Sequence, residues 1–252
     1  MDPEAVARLI AVEEQMRRLP ALIVQPYDLI SPYLALPALR GFWPLSSQDA
    51  ASAFDLSGQG RTLTLAAAPG FGVANDAAAY VILNGTTQYL YRADETGLDV
   101  GSTGLLTVGG WFYFNNAAGT QEALVTKGDG AAANTDFWLT RNVSGGIRFL
   151  VSNGAAIKEF TTTTLCAATT WYFIVGRFTT AAELATFIGT TKETFTVGLP
   201  GSSVNSTTPF NIGTYNNGAG ILLPGRASRV FLCAAAVSDA QLSSLYQQTR
   251  GA

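Results

Sequence analysis

The chain has 252 residues, of which 48% are hydrophobic and only 13% charged, against roughly 25% charged in ordinary globular domains. Its net charge is −3 and its arginines are scattered, with only Arg17 and Arg18 adjacent, so no basic stripe faces a phosphate backbone and nucleic acid is excluded as a partner. Histidine is absent, which excludes Ser-His and Cys-His nucleophiles and histidine-held zinc or iron. A surface this poor in charge must consist of Gly, Ala, Ser, Thr and Asn, or be covered by other subunits. The longest uncharged, mostly apolar stretch is residues 100–121. Gly101, Gly104, Gly109, Gly110, Asn115 and Asn116 interrupt it, so it does not read as a membrane helix, which needs about 20 apolar residues. The start Met1-Asp-Pro-Glu4 has neither the basic nor the apolar region of a secretory leader. The expectation is a chain made in the cytoplasm, without membrane contact.

Asp2 is placed as an N-cap, Pro3 as a first helical residue and Glu4 at the positive end of the helix dipole. The spacing predicts a helix over residues 1–19 with Val6, Leu9, Ile10 and Met16 on its apolar stripe. Residues 20–38 follow, with Pro20, Pro26, Pro32 and Pro37 recurring every five or six residues. Prolines lock an extended path and remove donors. This arm is nonetheless apolar, with Ile23, Tyr27, Ile30, Tyr33 and Leu36 along it. It must therefore lie on a surface, either wrapping its own domain or crossing to a neighbouring subunit.

A third unit, residues 39–252, reads as all-β. Trp43 and Leu45 belong to an opening strand, and Leu63 and Leu65 to another. Between them the run Asp55-Leu-Ser57-Gly58-Gln-Gly60 has the residues of a tight turn closed by side-chain to backbone hydrogen bonds, and Asp55 is assigned to that turn rather than to a metal. Asn84-Gly85 between residues 78–83 and 87–91 predicts a β-hairpin. Residues 107–115, 122–127, 136–141, 147–152, 157–162 and 170–178 are each of strand length, separated by Gly, Asn and Thr turns at the spacing of sandwiches and barrels. Near the end come a strand from Phe210, a Gly/Asn loop, and a strand over residues 226–234 whose continuous apolar run Val230–Cys233 implies burial on both faces. Ser238 and Gln241 form a capping box for a short C-terminal helix with Leu242, Leu245 and Tyr246 on one stripe.

These features, in this order, resemble laminin-G-like, concanavalin A-like sandwich domains. The resemblance runs from Gly41 to Tyr246 through the Trp43 strand, the Asp55 turn, the Trp111 strand, the Lys127-Gly turn, Phe137-Trp138-Leu139, Trp171 to Val175, Ile212-Gly213 and the Ser238 to Tyr246 helix. It implies a jelly-roll β-sandwich, preceded here by the N-terminal helix and the extended arm. In some members of the family it also implies calcium, for which Asp129, Asn134 and Asp136 are the candidate ligands. The same Asp, Asn and Gly residues are what any turn needs.

A glycan site needs an aromatic ring to stack on a sugar and amides to bond its hydroxyls. Tyr215, Asn216 and Asn217, in a glycine-flanked loop, meet that composition. Trp43, Trp111, Trp138 and Trp171 lie in strands and read as core. Cys166 and Cys233 allow one disulfide at most and read as buried small hydrophobes. The paired-carboxylate strand of retaining glucanases is missing. Asp94 and Glu95, the densest acidic pair together with Asp99, read as loop charges. The expected function is that of a non-enzymatic structural or interaction protein, by fold-level analogy a virion component such as a capsid decoration or tail-associated protein. It would assemble through Val6, Leu9, Ile10, Met16, Ile23, Tyr27, Ile30, Tyr33 and Leu36 as a homo-oligomer or onto capsid or tail proteins. The first alternative is a carbohydrate-binding adsorption module, and the second a glycan-cleaving enzyme using Asp94 or Glu95.

Overall fold

In this computed structural model, which describes residues 27–46, 51–74 and 78–250, the chain enters as a helix, α1 (Tyr27–Leu34), and continues into β1 (Leu39–Trp43), β2 (Ser52–Ala53), β3 (Leu63–Ala66) and β4 (Gly70–Val73). Next come β5 (Ala79–Asn84), β6 (Tyr89–Arg92), β7 (Leu105–Phe114), β8 (Glu122–Gly128), β9 (Thr135–Arg141) and β10 (Gly146–Ser152). The remaining strands are β11 (Ile157–Leu165), β12 (Trp171–Thr179), β13 (Glu183–Ile188), β14 (Thr191–Phe195), β15 (Phe210–Ile212) and β16 (Pro224–Cys233), followed by α2 (Asp239–Thr249). They pair antiparallel into two eight-stranded sheets. One has the order β14-β13-β12-β7-β16-β5-β4 with β1 also on β16, and the other the order β11-β10-β9-β8-β15-β6-β3-β2.

Alternation along the strands sends one set of side chains between the sheets. Trp43, Leu90, Phe112, Phe137, Phe149, Phe178 and Phe210 meet there, with the Trp43 and Phe210 rings 4.8 Å apart. A second core lies on the outside of the first sheet. Ile30, Tyr33 and Leu34 of α1 and Leu242 and Leu245 of α2 close over Phe42, Trp111, Phe173 and Phe231. Both faces of β16 are therefore apolar, as its continuous hydrophobic run implies. The first sheet is hereafter the backed sheet and the second the open sheet.

Local chemistry explains several elements. Ser238 caps α2, accepting from the Gln241 amide (3.3 Å) while its own N–H donates to Gln241 Oε1 (3.2 Å). Asp55, 2% exposed, holds its turn through both carboxylate oxygens. Oδ1 accepts from Phe42 and Ser57 N–H, and Oδ2 from the Ser57 hydroxyl and Arg61 N–H. Gly58 and Gly60 supply the positive φ, 81° and 71°.

Two expectations are corrected. The path expected to be extended over residues 20–38 is helical from Tyr27 to Leu34, despite Pro32 inside it. Leu29, Ile30, Tyr33 and Leu34 fall on one helical face and are buried, and that burial outweighs the one hydrogen bond the proline removes. Ile30, Tyr33 and Leu36 pack on the chain's own sheet, with Tyr33 stacked 4.6 Å from Phe42. The helix expected over residues 1–19, with Val6, Leu9, Ile10 and Met16, lies outside the described residues, as do Ile23 and the Tyr27 side chain. Nor do β5 and β6 form a hairpin. β5 pairs with β4 and β16, and β6 with β3 and β15, so Asn84-Gly85 carries the chain from one sheet to the other. Asn84 Oδ1 organises that crossing by accepting from the amides of Thr86, Thr87 and Gln88.

Candidate functional site

On the open sheet, residues that alternate with the inter-sheet core face outward. Cross-strand pairing sets Leu150, Trp138, Thr126, Asn211, Tyr91 and Thr64 in one line across it. Two loops fold down over the middle of this line. From one side, residues 128–134 approach Trp138, whose indole N–H donates to Gly128 O (3.4 Å). Gly130, at φ 90°, lies so near the ring that a Cβ there would stand 3.0 Å from it. From the other side comes the loop after β15. Thr126 Oγ1 donates to Thr214 O (2.8 Å), the Asn217 amide to Asn211 Oδ1 (3.3 Å), and Tyr89 Oη to Asn217 O (3.0 Å).

The tip of that loop carries the glycan candidates. Asn216, Asn217 and Gly218 are all left-handed, at φ 42°, 54° and 86°, a conformation that asparagine tolerates better than most residues. Gly218 is required there, because a Cβ would meet the Tyr89 ring at 2.8 Å. Tyr215 sits half-buried with its ring 5.0 Å from Trp138, while Asn216 and Asn217 are exposed. Tyr89 and Tyr91, rings 5.9 Å apart and half-buried, complete a patch that sequence reading did not assemble. Chemically it offers phenol rings for stacking beside amides that donate and accept.

Of the three candidate calcium ligands, Asp129 and Asn134 come together and Asp136 does not. Asp129 accepts from the Ala131 amide and from Asn134 Nδ2, both at 2.9 Å, and Asn134 Oδ1 accepts from the Thr207 amide (2.9 Å). These bonds tie the 128–134 loop to the segment after β14. Asp136 is fully buried elsewhere, accepting from the Ser203 hydroxyl. Beside it Lys127, also fully buried, places its ammonium among four oxygens: Asp94 Oδ1 (2.5 Å), Ser206 O (2.8 Å), Thr208 O (2.9 Å) and Asp99 Oδ1 (3.0 Å). In this oxygen cage the chain supplies the cation itself. Among the described residues no three acidic or cysteine side chains form a metal-ligating group.

Asp94 is thus engaged by Lys127, and Glu95 by Arg61 (2.6 Å) and Arg92 (3.0 Å). Burial alone would raise the Glu95 carboxyl, but the two guanidiniums outweigh it and hold it below the usual range. Glu95 is therefore not the raised-pKa acid that glycan cleavage requires. Cys166 lies in the inter-sheet core and Cys233 in the core under the helices, on opposite sides of the backed sheet, so no disulfide joins them.

Asp136 gives a pH signature. Burial, opposed by the Ser203 hydrogen bond and the Lys127 charge, pushes its pKa up to about 7, against about 3.9 in an unfolded chain. Between those values the folded state binds the extra proton, so stability falls as pH rises. Asp99 and Glu122, both raised chiefly by burial, act with the same sign. The lowered carboxylates Glu95, Glu183, Glu193 and Asp239 act with the opposite sign, but at more acid pH. The urea midpoint is therefore expected to drop between pH 5 and pH 7, and Asp136→Asn to flatten the drop. A midpoint that rises over this window would refute the assignment.

Two packed antiparallel sheets, one backed by helices and the other carrying a loop-built aromatic and amide patch, define a lectin-like β-sandwich. The chain belongs to the concanavalin A-like lectin/glucanases superfamily, whose laminin-G-type family description matches residues 84–243. No curated protein matches the sequence. Solved structures of similar fold include the binding domain of Paraclostridial Mosquitocidal Protein 1, 13% identical with a TM-score of 0.66 over 83% of this chain and 52% of that one. The receptor-binding domain of botulinum neurotoxin C/D mosaic serotype is 8% identical, TM-score 0.64, over 83% and 51%. The binding domain of botulinum neurotoxin DC in complex with rat synaptotagmin II is 10% identical, TM-score 0.67, over 84% and 52%. The chain thus spans about half the length of the structures it matches.

Proposed function

We propose that this domain is a non-catalytic binding module that holds a glycan on the outer face of the open sheet. The observation that carries this reading is the patch of Tyr89, Tyr91 and Tyr215 beside the exposed amides of Asn216 and Asn217, on a loop fixed to the sheet by Thr126, Asn211 and Tyr89. Rings pre-set in this way reduce the ordering cost of binding. The similarity to receptor-binding domains supports a recognition role through fold alone. Subunit assembly through the arm, within a virion, is the reading that weakens, because Ile30, Tyr33 and Leu36 are taken up by the chain's own core.

The test is retention on immobilised glycans. Tyr215→Ala is expected to reduce retention at least tenfold, while Val197→Ala, at a 70% exposed position elsewhere, leaves it intact. If both variants and the parent are equally retained, or none is retained by any glycan offered, the open-sheet patch is not a sugar site.

A further inference from the structure

The backed sheet carries a second row of aromatic side chains next to the helix-covered core. Pairing between β12, β7, β16 and β5 aligns Trp171, Tyr113, Arg226 and Ile82 across four strands, and Tyr80 lies two residues before Ile82 on the same face. Trp171 packs at the margin of the core beneath α1 and α2. Its ring stands 5.5 Å from Tyr80 and 5.6 Å from Tyr113, tilted by 59° and 58°. Tyr80, Tyr113, Trp171 and Arg226 all remain half-buried, and Ile82 is 36% exposed.

Arg226 is the centre of this strip. Its guanidinium lies 4.5 Å from the Tyr113 ring centroid and 5.0 Å from that of Tyr80. Arg61, Arg92, Arg141, Arg148 and Arg177 each meet a carboxylate. The Arg226 side chain makes no hydrogen bond or ion pair with any described residue. Two rings thus hold a planar fork of five donors, reduce its hydration, and leave the donors unused. Such a fork matches a carboxylate in bidentate fashion. The backbones of Trp171 and Arg226 stand two strands apart, about 10 Å at ordinary strand spacing, and the Trp171 ring leans toward Tyr113 and Tyr80, the rings that flank the guanidinium. A saccharide can place the C–H face of one ring on Trp171 and the carboxylate of the next on Arg226. Extended acidic peptide would satisfy the charge but leave the aromatic faces without their flat partner.

We infer that this strip is a binding site for a carboxylate-bearing saccharide, with Arg226 taking the carboxylate and Trp171, Tyr113 and Tyr80 the sugar faces. It is a separate surface from the open-sheet patch and does not depend on it.

The experiment titrates the full chain with a panel of carboxylated oligosaccharides, each beside its carboxyl-reduced neutral form, followed by tryptophan fluorescence and equilibrium dialysis. The acid form of at least one is expected to bind ten or more times tighter than its neutral form. Arg226→Gln is expected to erase that preference, Arg226→Lys to retain part of it, and Trp171→Ala to lose binding of both forms. Tyr215→Ala should leave the preference intact, which separates this site from the one proposed above. Urea midpoints establish that each variant is folded. The inference is overturned if acid and neutral forms bind alike, if Arg226→Gln keeps the preference, or if no carboxylated saccharide binds. It is equally overturned if an acidic peptide binds tighter than the saccharides and loses binding with Arg226→Gln, which would make the strip a protein-docking surface.

Discussion

Lys127→Met is expected to lower the unfolding free energy by about 3–5 kcal/mol, the range for breaking a buried ion pair by removing one partner. Methionine fills nearly the same volume, so the loss is electrostatic and not a cavity effect. The ammonium holds carboxylates of the segment before β7 and carbonyls of the segment before β15 against β8. Without it Asp99, 5% exposed, is a buried carboxylate facing no cation. The loss should shrink at acid pH, where a protonated Asp99 needs no counter-charge, and Asp99→Asn in the Lys127→Met background should recover part of it. Urea unfolding at pH 7 and pH 4 measures both, and an unchanged midpoint at pH 7 would remove Lys127 from its place as the tie between these loops.

Tyr33→Ala should cost a similar amount, about 3–5 kcal/mol, as do other truncations of buried rings. Its side chain is fully buried, stacks on Phe42 at 9° and contacts Phe231, and its hydroxyl donates to Thr249 Oγ1 (3.4 Å). Thr249 in turn receives the Trp111 indole N–H (3.1 Å), so one substitution loosens α1, α2 and the backed sheet together. Denaturation at two protein concentrations a hundredfold apart distinguishes the two roles of the segment. Packing within one chain gives a loss independent of concentration. A loss that grows on dilution would place Tyr33 between subunits and restore the assembly reading.

Much of the sandwich was legible because its signals are local. Strands β7 to β12 alternate or run apolar between Gly, Asn and Thr turns, the Ser238 box sits where α2 begins, and Asp55 carries its turn in six residues. What was illegible depends on distant partners. Asn84-Gly85 looks the same whether the chain folds back in one sheet or crosses to the other. The outcome is decided by β16, whose residues 224–227 pair with β5. Pro32 of α1 reads as a breaker, although Ile30, Tyr33 and Leu34 already stand at helical spacing, and only the sheet beneath them makes that stripe worth burying. β13 and β14 carry only a weak strand signal because Thr and Glu dilute their pattern. At the site, Tyr215, Asn216 and Asn217 could be found as one loop. Tyr89 and Tyr91, being strand residues, join them only through the β15–β6 pairing. The Lys127 cage draws on residues 94, 99, 206 and 208 and leaves no motif at all.

The place of β16 has a consequence for how the protein is made. It lies between β7 on one side and β5 and β1 on the other, so that Leu39 pairs with Cys233. The centre of the backed sheet is thus filled by the last of the sixteen described strands to be synthesised. Until residues 224–233 emerge, the nascent chain holds β5 and β7 as open edges with apolar faces, the condition that invites wrong pairing. Folding must then wait for contacts of very high sequence separation, which are slow to form. Synthesis that stalls before Pro224 leaves a polypeptide unable to close its larger core, a natural substrate for chaperones and proteases.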